Sequence, residues 1–114
     1  MSTLKPSQLA HINVFTPKAG LMDEFMAVQL RGLPGLGPVS GSRGSWLFRA
    51  ADDRDAILIA LFDDEASHRR FMQSPAFQPH RERLLPLLQS TGPAYYTLAY
   101  VGQGADTPEP AEGS

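Results

Sequence analysis

Three histidines and one asparagine are the side chains best suited to acid–base or oxyanion chemistry. His11 and Asn13 stand two residues apart in LAHINVFTP, residues 9–17, and Phe15 follows in the same phase. His80 lies three residues after Phe77 and four before Leu84, a spacing that puts all three on one face of a helix. An unperturbed imidazole titrates near about 6.5, so His80 or His11 could take a proton near neutrality. The Asn13 amide offers a donor and an acceptor for a developing oxygen charge. A hydrogen-bonded histidine or asparagine with no chemical task fits the same positions. His68, beside Arg69 and Arg70, is expected to be exposed.

Other chemistries are excluded. The chain has no Cys, which removes disulfides, iron–sulfur clusters and thiolate catalysis. The histidines form no HxxxH pair, and Asp52-Asp53 and Asp63-Asp64 are adjacent acids at turns, so no metal site is expected. The glycines at 32, 35, 37, 41 and 44 match neither GxxxxGK[ST] nor GxGxxG; the Gly-rich connection that holds them could act as a lid. Ten Lys/Arg against twelve Asp/Glu leave no basic footprint for nucleic acid. No apolar run nears the roughly 18 residues of a membrane span, and the N-terminus lacks an apolar signal core, so the cytoplasm is the expected compartment.

The aromatic side chains suit a flat, apolar ligand. Trp46 and Phe48 share one strand face; they either line a cavity and stack on such a ligand or pack in a core or interface. Phe15, Phe71 and Phe77 are further candidates for the cavity wall. Tyr96 and Tyr100 share a face of the last strand, where a cavity role and an interface role are both open.

The elements that position these residues follow from periodicity. With 114 residues the chain holds one core: an arm at 1–8, a folded domain at 9–101 and a disordered acidic tail at 102–114, which lacks any apolar residue that could repay ordering. Strands are expected at 9–17, 45–49, 56–62 and 93–101, and the hairpin turn at Asp52-Asp53-Arg54. Residues 20–31 read as a helix with the stripe Leu21, Met22, Phe25, Met26 and Leu30. A second helix opens at Asp63-Asp64-Glu65 and runs to about Gln73, and Pro75–Leu88 is helical in part, broken near Pro86.

The resulting order, β-α-β-β-α-β, is the ferredoxin-like split βαβ arrangement of an α+β fold with an antiparallel sheet. Every strand carries apolar groups on both faces, and helices can cover only one. A homodimer is therefore expected, its sheets facing each other around an enclosed space that holds His11 and Asn13.

This order and spacing resemble the antibiotic biosynthesis monooxygenase proteins, which are dimeric α/β barrels. FDDEASHRRFMQSPAFQPH, residues 62–80, is similar to the family's strand end, acidic turn, short helix and Ser-Pro-x-Phe-x-x-His segment. INVFTPKAG, residues 12–20, resembles its first strand running into the first helix. The resemblance implies an oxygenase that needs no cofactor or metal and oxidises a phenol- or quinol-type substrate with dioxygen. Asn13, His80 and His11 would be its polar groups, and Trp46 and Phe71 would position the rings. A non-catalytic small-molecule-binding or stress-related dimer shares the same barrel. In the haem-degrading branch an Asn, a Trp and a His act together. Asn13 stands at the first position, Phe71 replaces the Trp, and His80 lies next to the third, which makes haem breakdown the weakest of the three readings.

Overall fold

A computed structural model describes residues 8–36 and 39–105. Its elements are β1 (Leu9–Pro17), α1 (Met22–Gly32), β2 (Ser42–Arg49), β3 (Ala56–Phe62), α2 (Glu65–Met72), α3 (Phe77–Leu84) and β4 (Leu88–Thr97). Short 3-10 turns follow α1 and α3. The strands form one antiparallel sheet in the order β2-β3-β1-β4. This is the α+β ferredoxin-like topology, with the second crossover split into α2 and α3. Of the expected arm and tail, only Gln8 and residues 102–105 fall within the described residues.

Local chemistry accounts for the helices. Asp64 caps α2: its Oδ1 accepts from the Ser67 backbone N–H at 2.9 Å and from the Ser67 hydroxyl at 2.8 Å. Those bonds hold the Asp64 carboxyl below the usual carboxylate range. In α1, Asp23 and Glu24 sit in the first turn and Arg31 in the last, matching the helix dipole. The buried line of α1 is Met22, Phe25 and Gln29, whereas Leu30 is 65% exposed. The expected stripe was thus rotated by one position. Gln29 continues the three-and-four spacing from Met22 and Phe25, and a polar partner inside the fold makes its burial tolerable.

The last strand begins five residues earlier than its expected start and ends four earlier. Its register with β1 runs from Pro17↔Leu88 to Leu9↔Thr97, and one further backbone bond, from the Leu98 N–H to the Gln8 carbonyl at 2.8 Å, closes the ladder. Gly92 and Pro93 lie inside it, because β4 is an edge strand and can accommodate a residue without an N–H. Strand β3 matches its expected span, and the β2–β3 turn places Asp53 at φ 61. The Asp53 carboxylate there accepts from Arg49 Nε at 2.8 Å.

The two sheet faces differ in cover. Phe15, Met22, Phe25, Ala56, Leu84, Leu87 and Leu88 form the core between sheet and helices. The opposite face carries the row Trp46–Ile59–Ile12–Ala94 and the row Phe48–Ile57–Val14–Gly92. Trp46, Phe48 and Tyr96 are exposed on it. His11 and Asn13 do not lie on the open face as expected: with Phe15 they line a cavity together with helix residues of the same chain.

Candidate active site

A cavity of about 360 Å³ lies between the helices and the covered sheet face. Strand alternation brings His11, Asn13 and Phe15 from β1 and Leu58, Ala60 and Phe62 from β3 to its floor. Helix α1 contributes Gln29, α2 contributes His68 and Phe71, and α3 contributes Phe77, His80 and Leu84. The aromatic wall is continuous: Phe62 and Phe71 centroids lie 5.7 Å apart, and Phe71 meets Phe77 edge-on at 5.4 Å. Such a surface accepts a flat apolar ring system.

Polar atoms interrupt this wall. Asn13 Oδ1 and Gln29 Nε2 are buried without a hydrogen-bond partner. A buried orphan of this kind costs about 1–3 kcal/mol. The pair offers one acceptor and one donor to a ligand carrying hydroxyl or carbonyl oxygens.

His80 is buried, and its Nε2 lies 2.8 Å from Gln29 Oε1. With the amide oxygen accepting, Nε2 carries the proton and Nδ1 is the lone-pair nitrogen. The Nδ1 edge rests on Gly32, in the volume a Cβ there would fill. Neither ring nitrogen is therefore open to the cavity. Burial, then the Arg83 charge, push the imidazole pKa down, so the ring is neutral at pH 7.

A second polar group lies around His68. Its ring stacks on His11 with centroids 4.1 Å apart and planes inclined by 26°. His68 Nδ1 is 2.7 Å from the Tyr95 hydroxyl. His68 is only 3% exposed. Burial first, and then the neighbouring His11, drop its pKa to about 4. Burial also lowers that of His11. Both rings are neutral at pH 7.

The chain around the start of β2 is fastened to α2 and to the turn that precedes it. Arg70 donates to the Ser40 carbonyl at 3.1 Å and Arg43 pairs with Asp63 at 2.7 Å. Gly41 has φ +89, and a Cβ there would collide with the Ser67 hydroxyl.

Of the residues singled out in the sequence, His11, Asn13, Phe15, Phe71, Phe77 and His80 come together at the cavity. Trp46, Phe48 and Tyr96 stand on the other face of the sheet, because they alternate out of phase with Asn13 across the register. Tyr100 lies beyond the end of β4 and is 81% exposed. Among the lining residues that sequence reasoning missed are His68 and Gln29. His68, expected to be exposed, is three residues before Phe71 and so shares its inward face. Gln29 is four residues after Phe25. Both spacings were present in the sequence.

The family model described as antibiotic biosynthesis monooxygenase matches residues 9–83. Among solved structures, the chain is similar to SnoaB from Streptomyces nogalater, a cofactor-independent oxygenase. Identity is 25%, the match covers 88% of this chain and 98% of SnoaB, and the TM-score is 0.69. Rv0793 from Mycobacterium tuberculosis shares the fold at 20% identity, covering 87% and 100% of the two chains with a TM-score of 0.68. SO0527 from Shewanella oneidensis does so at 20% identity over 82% and 92%, with a TM-score of 0.70. No functionally curated protein matches the chain. No helix among the described residues is long and apolar enough to cross a membrane.

Proposed function

The chain belongs to the antibiotic biosynthesis monooxygenase family, and from that premise we propose that it oxidises a flat phenol- or quinol-type substrate with dioxygen in the cavity beneath its own helices. One oxygen atom becomes a ring carbonyl and the other leaves as water. The substrate supplies all four electrons, so the reaction calls for no redox group of the protein. Support comes from the likeness to SnoaB, a cofactor-independent oxygenase. The observation that carries the reading is the pair of unpartnered atoms, Asn13 Oδ1 and Gln29 Nε2, in an aromatic-walled cavity.

In this reading Phe15, Phe71 and Phe77 hold the rings, and Asn13 accepts from the substrate hydroxyl. Gln29 Nε2 donates to the oxygen on which negative charge develops. His11, neutral and half-buried, stands at the same wall and stacks on His68. His80 acts by fixing the Gln29 amide rather than by touching the substrate.

His80 does not fit as a haem ligand. His80 Nε2 is bound to Gln29 and its Nδ1 edge is packed on Gly32, so the ring presents no nitrogen for iron.

We further propose that the second sheet face, with Trp46, Phe48 and Tyr96, packs against a second copy to form a homodimer. An apolar surface of this kind on a small domain is best covered by its own equivalent.

Oxygen uptake with a panel of naphthols, hydroquinones and anthrones tests the activity. Uptake with at least one member, forming a quinone, supports it. Binding of the panel without uptake would establish a non-catalytic binding protein instead.

A further inference from the structure

We propose that His68 and Tyr95 form a proton relay that carries a substrate proton from the cavity to solvent and later returns it. This rests on the oxygenase reading for the source of the proton.

His68 belongs to the cavity wall, and its Nδ1 is engaged by the Tyr95 hydroxyl at 2.7 Å. No described residue bonds to its Nε2, and that atom is not among those sealed from solvent without a partner. Nε2 is thus the nitrogen left without a described partner, on a ring that lines the cavity. Tyr95 is 43% exposed, so the other end of that chain reaches water. His11 stacks on one ring face and the Phe62 ring lies 5.0 Å away, which fixes the imidazole plane.

A buried imidazole packed against a second imidazole is a poor place for a full positive charge. A relay removes that difficulty, because the ring gains a proton at one nitrogen while losing one at the other. The substrate C–H or O–H bond breaks and Nε2–H forms. The Nδ1–H bond breaks as a bond to the Tyr95 oxygen forms, and the Tyr95 hydroxyl proton passes to water. The electron pair stays on the substrate, whose anion reduces dioxygen and becomes a ring-bound peroxide. The Nε2 proton then moves to the distal peroxide oxygen and the chain runs backward, restoring the Nδ1–H tautomer. Loss of water from the hydroperoxide, using the hydrogen on the same carbon, leaves the carbonyl. His68 is the group that touches the substrate; Tyr95 acts through it.

Anthrone under nitrogen isolates the proton step, since its carbon acid forms a coloured anion without oxygen. The intact protein is expected to accelerate anion formation over buffer. Tyr95→Phe should slow it by about tenfold or more, within the usual reach of a proton-transfer group, while the anthrone Kd stays within about twofold, since Tyr95 makes no ligand contact. The wild-type rate should show a curved proton inventory in mixed H2O/D2O, and Tyr95→Phe a straight one. His68→Gln should be slowest of all and recover in part with added imidazole, which probes the same step should Tyr95→Phe fail to fold. A Tyr95→Phe rate and inventory equal to wild type would overturn the relay, as would no acceleration by the wild-type protein. Acceleration without oxygen uptake would support the relay and overturn the oxygenase reading. Uptake with an unaffected Tyr95→Phe would do the reverse.

Discussion

The His80 imidazole occupies the space in which a Cβ on Gly32 would lie. Gly32 ends α1 at a helical position without positive φ, where alanine would ordinarily stabilise by up to about 1 kcal/mol. Forcing a methyl against a packed ring costs about 1–3 kcal/mol, so the sign reverses. Gly32→Ala should lower stability in urea unfolding. In a His80→Ala background the same change should become neutral or stabilising, because the ring that opposed it is gone.

Acid should destabilise the fold before its carboxylates titrate. All three histidines have folded pKa values below the unfolded value, His68 at about 4. Between about 6.5 and 4 the unfolded chain therefore binds more protons than the folded one, and stability falls as pH falls. Asp53 and Asp64, with lowered pKa values, lose their contribution only at lower pH. Urea midpoints measured from pH 7.5 to 4.5 should decline steadily. His68→Gln should show a shallower decline, and an unchanged slope would contradict the burial of a neutral His68.

Asn13 should matter to ligand and cost stability. Its Oδ1 has no partner in the folded chain, so Asn13→Leu should raise unfolding free energy by about 1 kcal/mol. The same change should weaken binding of a naphthol by about tenfold, the worth of one hydrogen bond from a ligand hydroxyl. Fluorescence titration and urea unfolding on one preparation check both. Loss of stability with unchanged affinity would remove Asn13 from the site.

Association and ligand binding should separate. The cavity belongs to one chain and the aromatic patch lies on the other side of the sheet. Trp46→Glu should convert a species sedimenting at twice the chain mass into one at the chain mass, because a charge would be buried at the contact. Ligand affinity should change by less than about threefold, as no cavity contact is lost. A wild-type protein that sediments at the chain mass would end the dimer proposal and leave the cavity in place.

The order of elements, the span of β3, the acidic cap of α2 and the hairpin at Asp52-Asp53 were legible in the residues, because each depends on local signals: alternation, capping chemistry and turn chemistry. The gathering of His11, Asn13, Phe15, Phe71, Phe77 and His80 followed from periodicity once the helices were placed. Tertiary structure decided the rest. Alternation divides β1 into two faces, but both carry apolar side chains, so only the docking of α1, α2 and α3 determines which is covered. The ends of β4 depend on where β1 begins, a pairing some 80 residues away in the chain. His68 and Gln29 look like surface residues by type. Their burial depends on partners, Tyr95 and His80, that only the folded chain brings within hydrogen-bonding distance.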